Sequence, residues 1–270
     1  MCNILERTCI SKYIYILFLT SLCLRSTATF SREKEINCVR IFFLHVPKTG
    51  GTSLGEWLKQ SFRECPYRDN IRLTDWRKLV LDIDMKKQTS CEIIEFHGNS
   101  PGFYEVYEEL QNWKYSLQEK ACSVTTITVL RNSGKLLESA LNFWGHNKRV
   151  KNMRSAYMPN LQVQFIFTGY RGPKIRKNRH RKRVRDVDIE DIHKKMTSFF
   201  DFICRFENLK YCIEKIGKNF SNLTTFEQIP LQQLNANHGK KQSYSWSSTR
   251  DMIGLDEKLL RSLHESGALI

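Results

Sequence analysis

The 270-residue sequence predicts an α/β fold with a mostly parallel central sheet and helices on both faces. Three observations carry that expectation. Val39 to Val46 is a near-continuous apolar run, the composition of a parallel strand buried on both faces. It leads directly into Pro47-Lys48-Thr49-Gly50-Gly51-Thr52-Ser53, a turn rich in glycine and hydroxyls that opens a helix. Further on, short runs rich in Val, Ile and Thr alternate with segments of helical periodicity. A chain of this length has room for a single domain with a sizeable core.

Taken in order, Thr52 to Arg63 reads as a helix because Leu54, Trp57, Leu58 and Phe62 recur at helical spacing. Cys91 to His97 is the second strand, closed by Gly98 and the Pro101-Gly102 turn. A helix is expected from about Tyr104 to Trp113. Cys122 to Leu130 is the third strand and runs straight into Arg131, and Lys135 to His146 follows as a helix. Phe199 to Phe206 fits either a strand or the end of a helix, and helices are expected at Glu207 to Ile216 and Leu255 to Leu263. Two stretches interrupt the alternation. Tyr170 to Arg185 holds nine Lys/Arg and almost no apolar residues, which reads as a loop or disordered insertion. Leu234 to Arg250 is polar and reads as a long loop. No internal repeat is present.

The turn after the first strand has the chemistry of an anion cradle. Glycines let successive N–H groups curl toward one point, the helix start adds partial positive charge, and Lys48 adds a full one. A nucleotide-triphosphate loop places its lysine after the second glycine and just before Ser/Thr, whereas Lys48 precedes both glycines. A kinase or ATPase reading is therefore weak. The plain alternative is a strand-to-helix turn with an incidental lysine. The order Pro-Lys-Thr-Gly-Gly-Thr-Ser resembles the 5′-phosphosulfate loop of sulfotransferases, in particular the Golgi membrane carbohydrate enzymes of the heparan-sulfate 2-O and 6-O type. That resemblance spans roughly Val39 to Ile270, is strong only in two short motifs, and implies a P-loop-like sulfotransferase fold.

Charge and routing narrow the partners. Lys and Arg number 43 against 28 acidic residues, a net charge of +15, which suits an acidic partner: nucleic acid, anionic membrane or polyanionic glycan. Tyr13 to Leu24 is an apolar stretch behind Arg7 and Lys12, short for a membrane span but suited to a signal-peptide core, and Ser26-Thr27-Ala28 offers small residues for cleavage. The resemblance instead implies a retained type II anchor. Residues 1–30 are thus read as cytoplasmic tail and signal anchor or signal peptide, and 36–270 as a lumenal domain. Asn219-Phe220-Ser221 and Asn222-Leu223-Thr224 are glycosylation sequons. Beyond the leader lie Cys38, Cys65, Cys91, Cys122, Cys204 and Cys212, an even set that permits disulfides of unreadable pairing, with free buried thiols as the alternative. None has zinc spacing. Secretory routing makes nucleic acid the poorer explanation of the charge and an anionic polysaccharide the better one.

The resemblance implies a donor, 3′-phosphoadenosine-5′-phosphosulfate (PAPS), and a reaction that needs no metal. Lys48 is then the cation at the leaving oxygen, and Thr49, Gly50, Gly51, Thr52 and Ser53 supply donors to the 5′-phosphate. Arg131 at a strand end and Ser139 eight residues later resemble the family's second signature and would hold the 3′-phosphate. Ser133 stands where the family commonly has proline, and Leu136 where it often has a second arginine, with Lys135 the nearest substitute. Strand-terminal arginines are common and Ser139 on its own fits a solvent-facing role. His97 ends a strand on the same edge as the cradle; the sequence alone favours a structural histidine, and the resemblance makes it the expected general base. Glu95 is the second choice; strand alternation puts it on the same face as His97, so that one could orient the other. His45 is read as support for the loop. Asn235 to Lys241 resembles the family's late asparagine-containing segment, with Lys240 and Lys241 either over the donor or in solvent. Trp144, His146, Lys148 and Arg149 are placed near the acceptor cleft. Two other functions fit the same residues: a non-catalytic glycan-binding protein, and a protein-tyrosine sulfotransferase.

Overall fold

The computed structural model describes residues 38–82, 91–145, 160–169, 186–223, 225–231 and 250–270. The expected leader, the basic run 170–185, the late loop with Lys240 and Lys241, and His146, Lys148 and Arg149 lie outside those residues, as does the side chain of Trp144. Among the described residues no helix is long and apolar enough to cross a membrane.

Strands β1 (Val39–Leu44), β2 (Tyr67–Arg68), β3 (Cys91–Phe96), β4 (Ser123–Leu130) and β5 (Phe202–Arg205) form one sheet in the order β2-β3-β1-β4-β5, with every pairing parallel. The helices are α1 (Gly51–Ser61), α2 (Leu73–Asp82), α3 (Tyr107–Glu119), α4 (Ser133–Gly145), α5 (Leu161–Thr168), α6 (Asp186–Phe199), α7 (Leu209–Phe220) and α8 (Arg250–Glu265). The α/β class and the two-sided cover expected from the sequence are both present. Residues Phe199 to Phe206 divide between the end of α6 and β5.

The apolar run in β1 is explained by its central place. Val39, Ile41 and Phe43 pack on one face with Leu54, Trp57 and Leu58 of α1 and Ile213 and Ile216 of α7. Phe42 and Leu44 point the other way, among Trp76 of α2, Trp113 of α3 and Phe199 of α6. Phe42 meets Phe96 and Phe199 edge-on at centroid distances of 4.9 and 5.5 Å, and burying such a ring stabilises by about 2–3 kcal/mol. A smaller cluster of Leu136, Leu137, Ala140, Leu141, Leu161 and Ile253 ties α4 to α5 and α8. Three disulfides pair all six cysteines, Cys38–Cys122, Cys65–Cys91 and Cys204–Cys212, so the free-thiol alternative does not hold. At the outer edge of β5, Ile203 bridges Leu269, and Ile270 exchanges hydrogen bonds with Ile203 and Arg205. That tail covers β5 backbone groups which would otherwise form an open edge.

This topology positions the site. The connection from β1 runs to β2 on one side, while β4 lies on the other, so the winding direction reverses at β1. In open α/β sheets ligands bind beyond the carboxyl ends of the strands at such a reversal. The carboxyl ends of β3, β1 and β4 lead into His97, His45–Gly50 and Arg131 respectively.

Candidate functional site

The β1–α1 loop turns on two left-handed residues, Lys48 at φ 67° and Gly50 at φ 88°. Glycine adopts this region freely. Lys48 does so at a cost of about 1–3 kcal/mol, a strain that marks functional loops. Gly50 also has no space for a side chain, because a Cβ would fall 2.3 Å from the Phe206 ring. At Gly51 it would fall 2.0 Å from the His45 ring, so the loop packs close between these two rings. Gly50 is the N-cap of α1 and brings no side-chain cap, and the first turn contains no acidic residue. The Ser53 and Leu54 N–H groups bond the Gly50 carbonyl, and the N–H groups of Gly51 and Thr52 at the positive end of α1 are the ones placed to meet an anion. The Thr49 hydroxyl donates to the Val46 carbonyl at 2.8 Å and closes the turn, so its side chain serves the loop. Thr52 is exposed and Ser53 buried on the first turn of α1.

Two cations flank this turn. The Lys48 ammonium lies 3.7 Å over the ring of Phe143 on α4. Arg131 donates from Nη1 to the Lys48 carbonyl at 3.0 Å, and its guanidinium lies 4.4 Å over the Phe206 ring. Among the described residues neither cation has an ion-pair partner. Burial, and then the nearby Arg131 charge, hold the Lys48 ammonium below the ordinary lysine value. Burial likewise lowers Arg131, against the opposing pull of Glu207 and Glu138. Two buried polar atoms in the β4–α4 turn, Arg131 Nε and Ser133 Oγ, have no partner among the described residues. A phosphate bound here would supply acceptors for both. Ser139 lies half-buried on α4, one turn before Phe143 and on the same helix face.

On the opposite side of the loop, β1 and β3 pair in the register Phe43↔Glu95 and Leu44↔Phe96. Continuing that register puts His45 beside His97, and their rings stack at 3.9 Å between centroids. Glu95 then reaches diagonally to His45. His45 Nδ1 donates to Glu95 Oε1, and the Tyr67 hydroxyl donates to Glu95 Oε2 at 2.5 Å. The expectation that Glu95 and His97 orient each other is thus corrected: cross-strand geometry gives Glu95 to His45, and both of its oxygens are engaged. Burial raises the Glu95 carboxyl, but the bonds from His45 and Tyr67 outweigh burial and leave it below the ordinary carboxylate range. Burial, and then Glu95, push the Tyr67 phenol well up. His97 Nδ1 lies 3.2 Å from the His45 carbonyl, which only accepts, so the proton sits on Nδ1 and the Nε2 lone pair is left for chemistry. Burial, and then His45, lower His97 below the ordinary histidine value and favour this neutral form. His45, Glu95 and His97 also lie close enough to ligate a metal ion, but the hydrogen bonds just described already satisfy that arrangement.

The structure therefore brings Lys48, Gly50, Gly51, Thr52, Ser53, Arg131, Glu95 and His97 to one edge of the sheet. Sequence reasoning missed Phe143, Phe206, Tyr67 and Gln162. Gln162, on α5, accepts from the Arg131 N–H at 2.7 Å and donates to the Arg131 carbonyl at 2.9 Å. The only sequence signal for it was that it is one of two glutamines, with Gln164, in the otherwise largely apolar run Leu161 to Thr168. No protein-family model matches the chain, and no curated protein matches it.

Proposed function

We propose that this protein is a sulfotransferase that moves a sulfuryl group from PAPS to a hydroxyl of an anionic glycan, a glycosaminoglycan such as heparan sulfate, in a P-loop-like sulfotransferase fold. The observation that carries the reading is the pairing of Lys48 and Arg131, two half-buried cations without an acidic partner among the described residues, at the uncapped start of α1. A site that concentrates positive charge, with Glu207 and Glu138 near Arg131 but no ion pair to either cation among the described residues, suits a ligand with more than one phosphate. The orphaned Arg131 Nε and Ser133 Oγ fit such a ligand.

In the proposed reaction the acceptor oxygen attacks sulfur as the bond from sulfur to the bridging phosphate oxygen breaks. The acceptor proton passes to Nε2 of His97. The bond electrons stay on the 5′-phosphate, where Lys48 and the α1 N–H groups balance the added charge. Arg131 holds the 3′-phosphate, with Ser139 as a second contact. His97 suits the base better than Glu95, whose two oxygens already bind His45 and Tyr67. The three disulfides support an oxidising compartment of the secretory route, and the family resemblance adds a Golgi location, with the protein anchored if the leader is retained. Asn219 and Asn222 are exposed, as glycan acceptors need to be.

Two measurements test this. Calorimetry should detect binding of 3′-phosphoadenosine-5′-phosphate (PAP), and radiolabelled sulfate should pass from PAPS to at least one of a panel of desulfated glycosaminoglycans. Absence of PAP binding would remove the enzyme reading and leave a glycan-binding protein. Transfer to acidic tyrosine peptides in place of polysaccharides would reassign the acceptor.

A further inference from the structure

Arg131 is the first residue beyond the paired length of β4, since the last strand register is Leu130↔Arg205. Its peptide N–H and C=O are therefore past the ladder and need partners elsewhere. Gln162 supplies both from one side chain: Oε1 accepts the N–H and Nε2 donates to the C=O. A single amide paired to both groups of one residue fixes that residue's position and its rotation about the strand axis. The amide cannot turn over without setting donor against donor and acceptor against acceptor. Gln162 is 1% exposed, so water does not offer the same bonds at lower cost.

Gln162 is itself held. It lies in the first turn of α5, where its N–H and that of Val163 donate to the carboxylate of Asp256 at 3.3 and 2.9 Å. Asp256 projects from α8 and is fully buried. In return Asn160 accepts from the N–H groups of Leu255 and Asp256 at 2.8 and 3.4 Å. A continuous line of hydrogen bonds thus runs from α8 through the start of α5 to the backbone of Arg131. The Arg131 side chain carries the opposite burden. Its Nη1 holds the Lys48 carbonyl, while Nε has no partner among the described residues.

We infer that Gln162, anchored by Asp256, is the positioning residue of the second phosphate site: it fixes the Arg131 backbone so that the guanidinium meets the 3′-phosphate of the donor. This rests on the sulfotransferase reading for the identity of the ligand, but the clamp on Arg131 stands on geometry alone. Groups that bind charged ligands must be held within a fraction of an ångström, and the loss of a supporting partner commonly costs about 10–100-fold in affinity.

The experiment compares binding of PAP with that of adenosine 5′-monophosphate, which lacks the 3′-phosphate, in the wild type, Gln162→Leu and Gln162→Glu. Gln162→Leu removes both bonds. Gln162→Glu keeps the acceptor for the Arg131 N–H and sets a carboxylate oxygen against its carbonyl. The wild type should prefer PAP. Gln162→Leu should weaken PAP by roughly tenfold or more with little change for the monophosphate, and Gln162→Glu should fall between. A general packing defect would weaken both nucleotides equally, and that result, or an unchanged preference in both variants, overturns the proposal. If Gln162→Leu does not fold, Gln162→Glu carries the comparison. A wild type with no preference for PAP would instead sink the Arg131–phosphate assignment. Hydrogen exchange at the Arg131 amide then decides the clamp: faster exchange in the variants sustains it, and unchanged exchange ends it.

Discussion

At the scale of single residues, two stacked histidines are held in different ways. His45 is spent on structure: its ring fills the space left by Gly51, and its Nδ1 proton goes to Glu95. His97 is stacked on it but donates from Nδ1 to a carbonyl, which leaves the Nε2 lone pair for the proposed proton transfer. His97→Ala should lower kcat by about 10²–10⁴-fold while sparing PAP affinity; an intact kcat would move the proton transfer elsewhere. Because burial and His45 hold His97 below its ordinary value, the acid limb of kcat/KM should fall at a pH lower than about 6.5. A limb above that value would contradict the neutral base. Lys48→Ala should reduce kcat by about 10²–10³-fold, the scale of losing one donor to developing charge, and near-normal turnover would refute its role. Lys48, Gly50 and Arg131 were legible because a charge beside glycines and a charge at a strand end are one-dimensional patterns. The Glu95–His45 bond was not, because it depends on which strand lies next to which and in what register.

At the scale of elements, the long apolar strands and five of the helices (α1, α3, α4, α7 and α8) were readable, whereas β2, α2, α5 and α6 were not. β2 is two residues long and owes its place to β3. α5 is apolar on most sides because α4, α8 and the turn before α3 surround it, so it has no polar stripe to show helical period. Its N-terminus is capped from α8, by a residue distant in sequence, where a local Ser or Asp would have announced it. That cap has a thermodynamic consequence. Burial raises the Asp256 carboxyl to about 7, against the bonds from Val163 and Gln162 that lower it. A carboxyl whose folded value lies above its unfolded value binds protons more tightly in the folded chain. Its contribution to stability is fully present below about pH 4 and is lost as pH rises through about 7, by an amount on the order of 4 kcal/mol. Asp256→Asn cannot titrate. Its melting temperature should therefore decline less than that of the wild type between pH 5 and pH 8, in parallel thermal melts. Curves of identical slope would mean that Asp256 is ionised throughout.

For the molecule as a whole, two of the three disulfides lie at the edge of the sheet opposite the candidate site. Cys38 and Cys122 precede β1 and β4, and Cys65 is joined to Cys91 at the start of β3, so two of the three disulfides secure the amino ends of the central strands. The loops that carry Lys48, His97 and Arg131 leave from the carboxyl ends. These two bridges remove conformational freedom from the unfolded chain without tying down the loops after β1, β3 and β4, whereas Cys204–Cys212 closes the short segment that carries Phe206. Cys38–Cys122 closes the longest loop of the three, with a sequence separation of 84, and the chain-entropy argument assigns such a loop about 4.5 kcal/mol. A double variant, Cys38→Ser with Cys122→Ser, should melt roughly 10 °C lower. Well below its melting temperature, however, it should keep the kcat and PAP affinity of the wild type under the proposed function, because both cysteines lie at the amino ends of β1 and β4, away from the proposed site. An unchanged melting temperature would show that this pair does not bridge in the folded protein. A large fall in kcat at low temperature would show that the two edges are mechanically coupled through β1 and β4, which the separation of staple from site argues against.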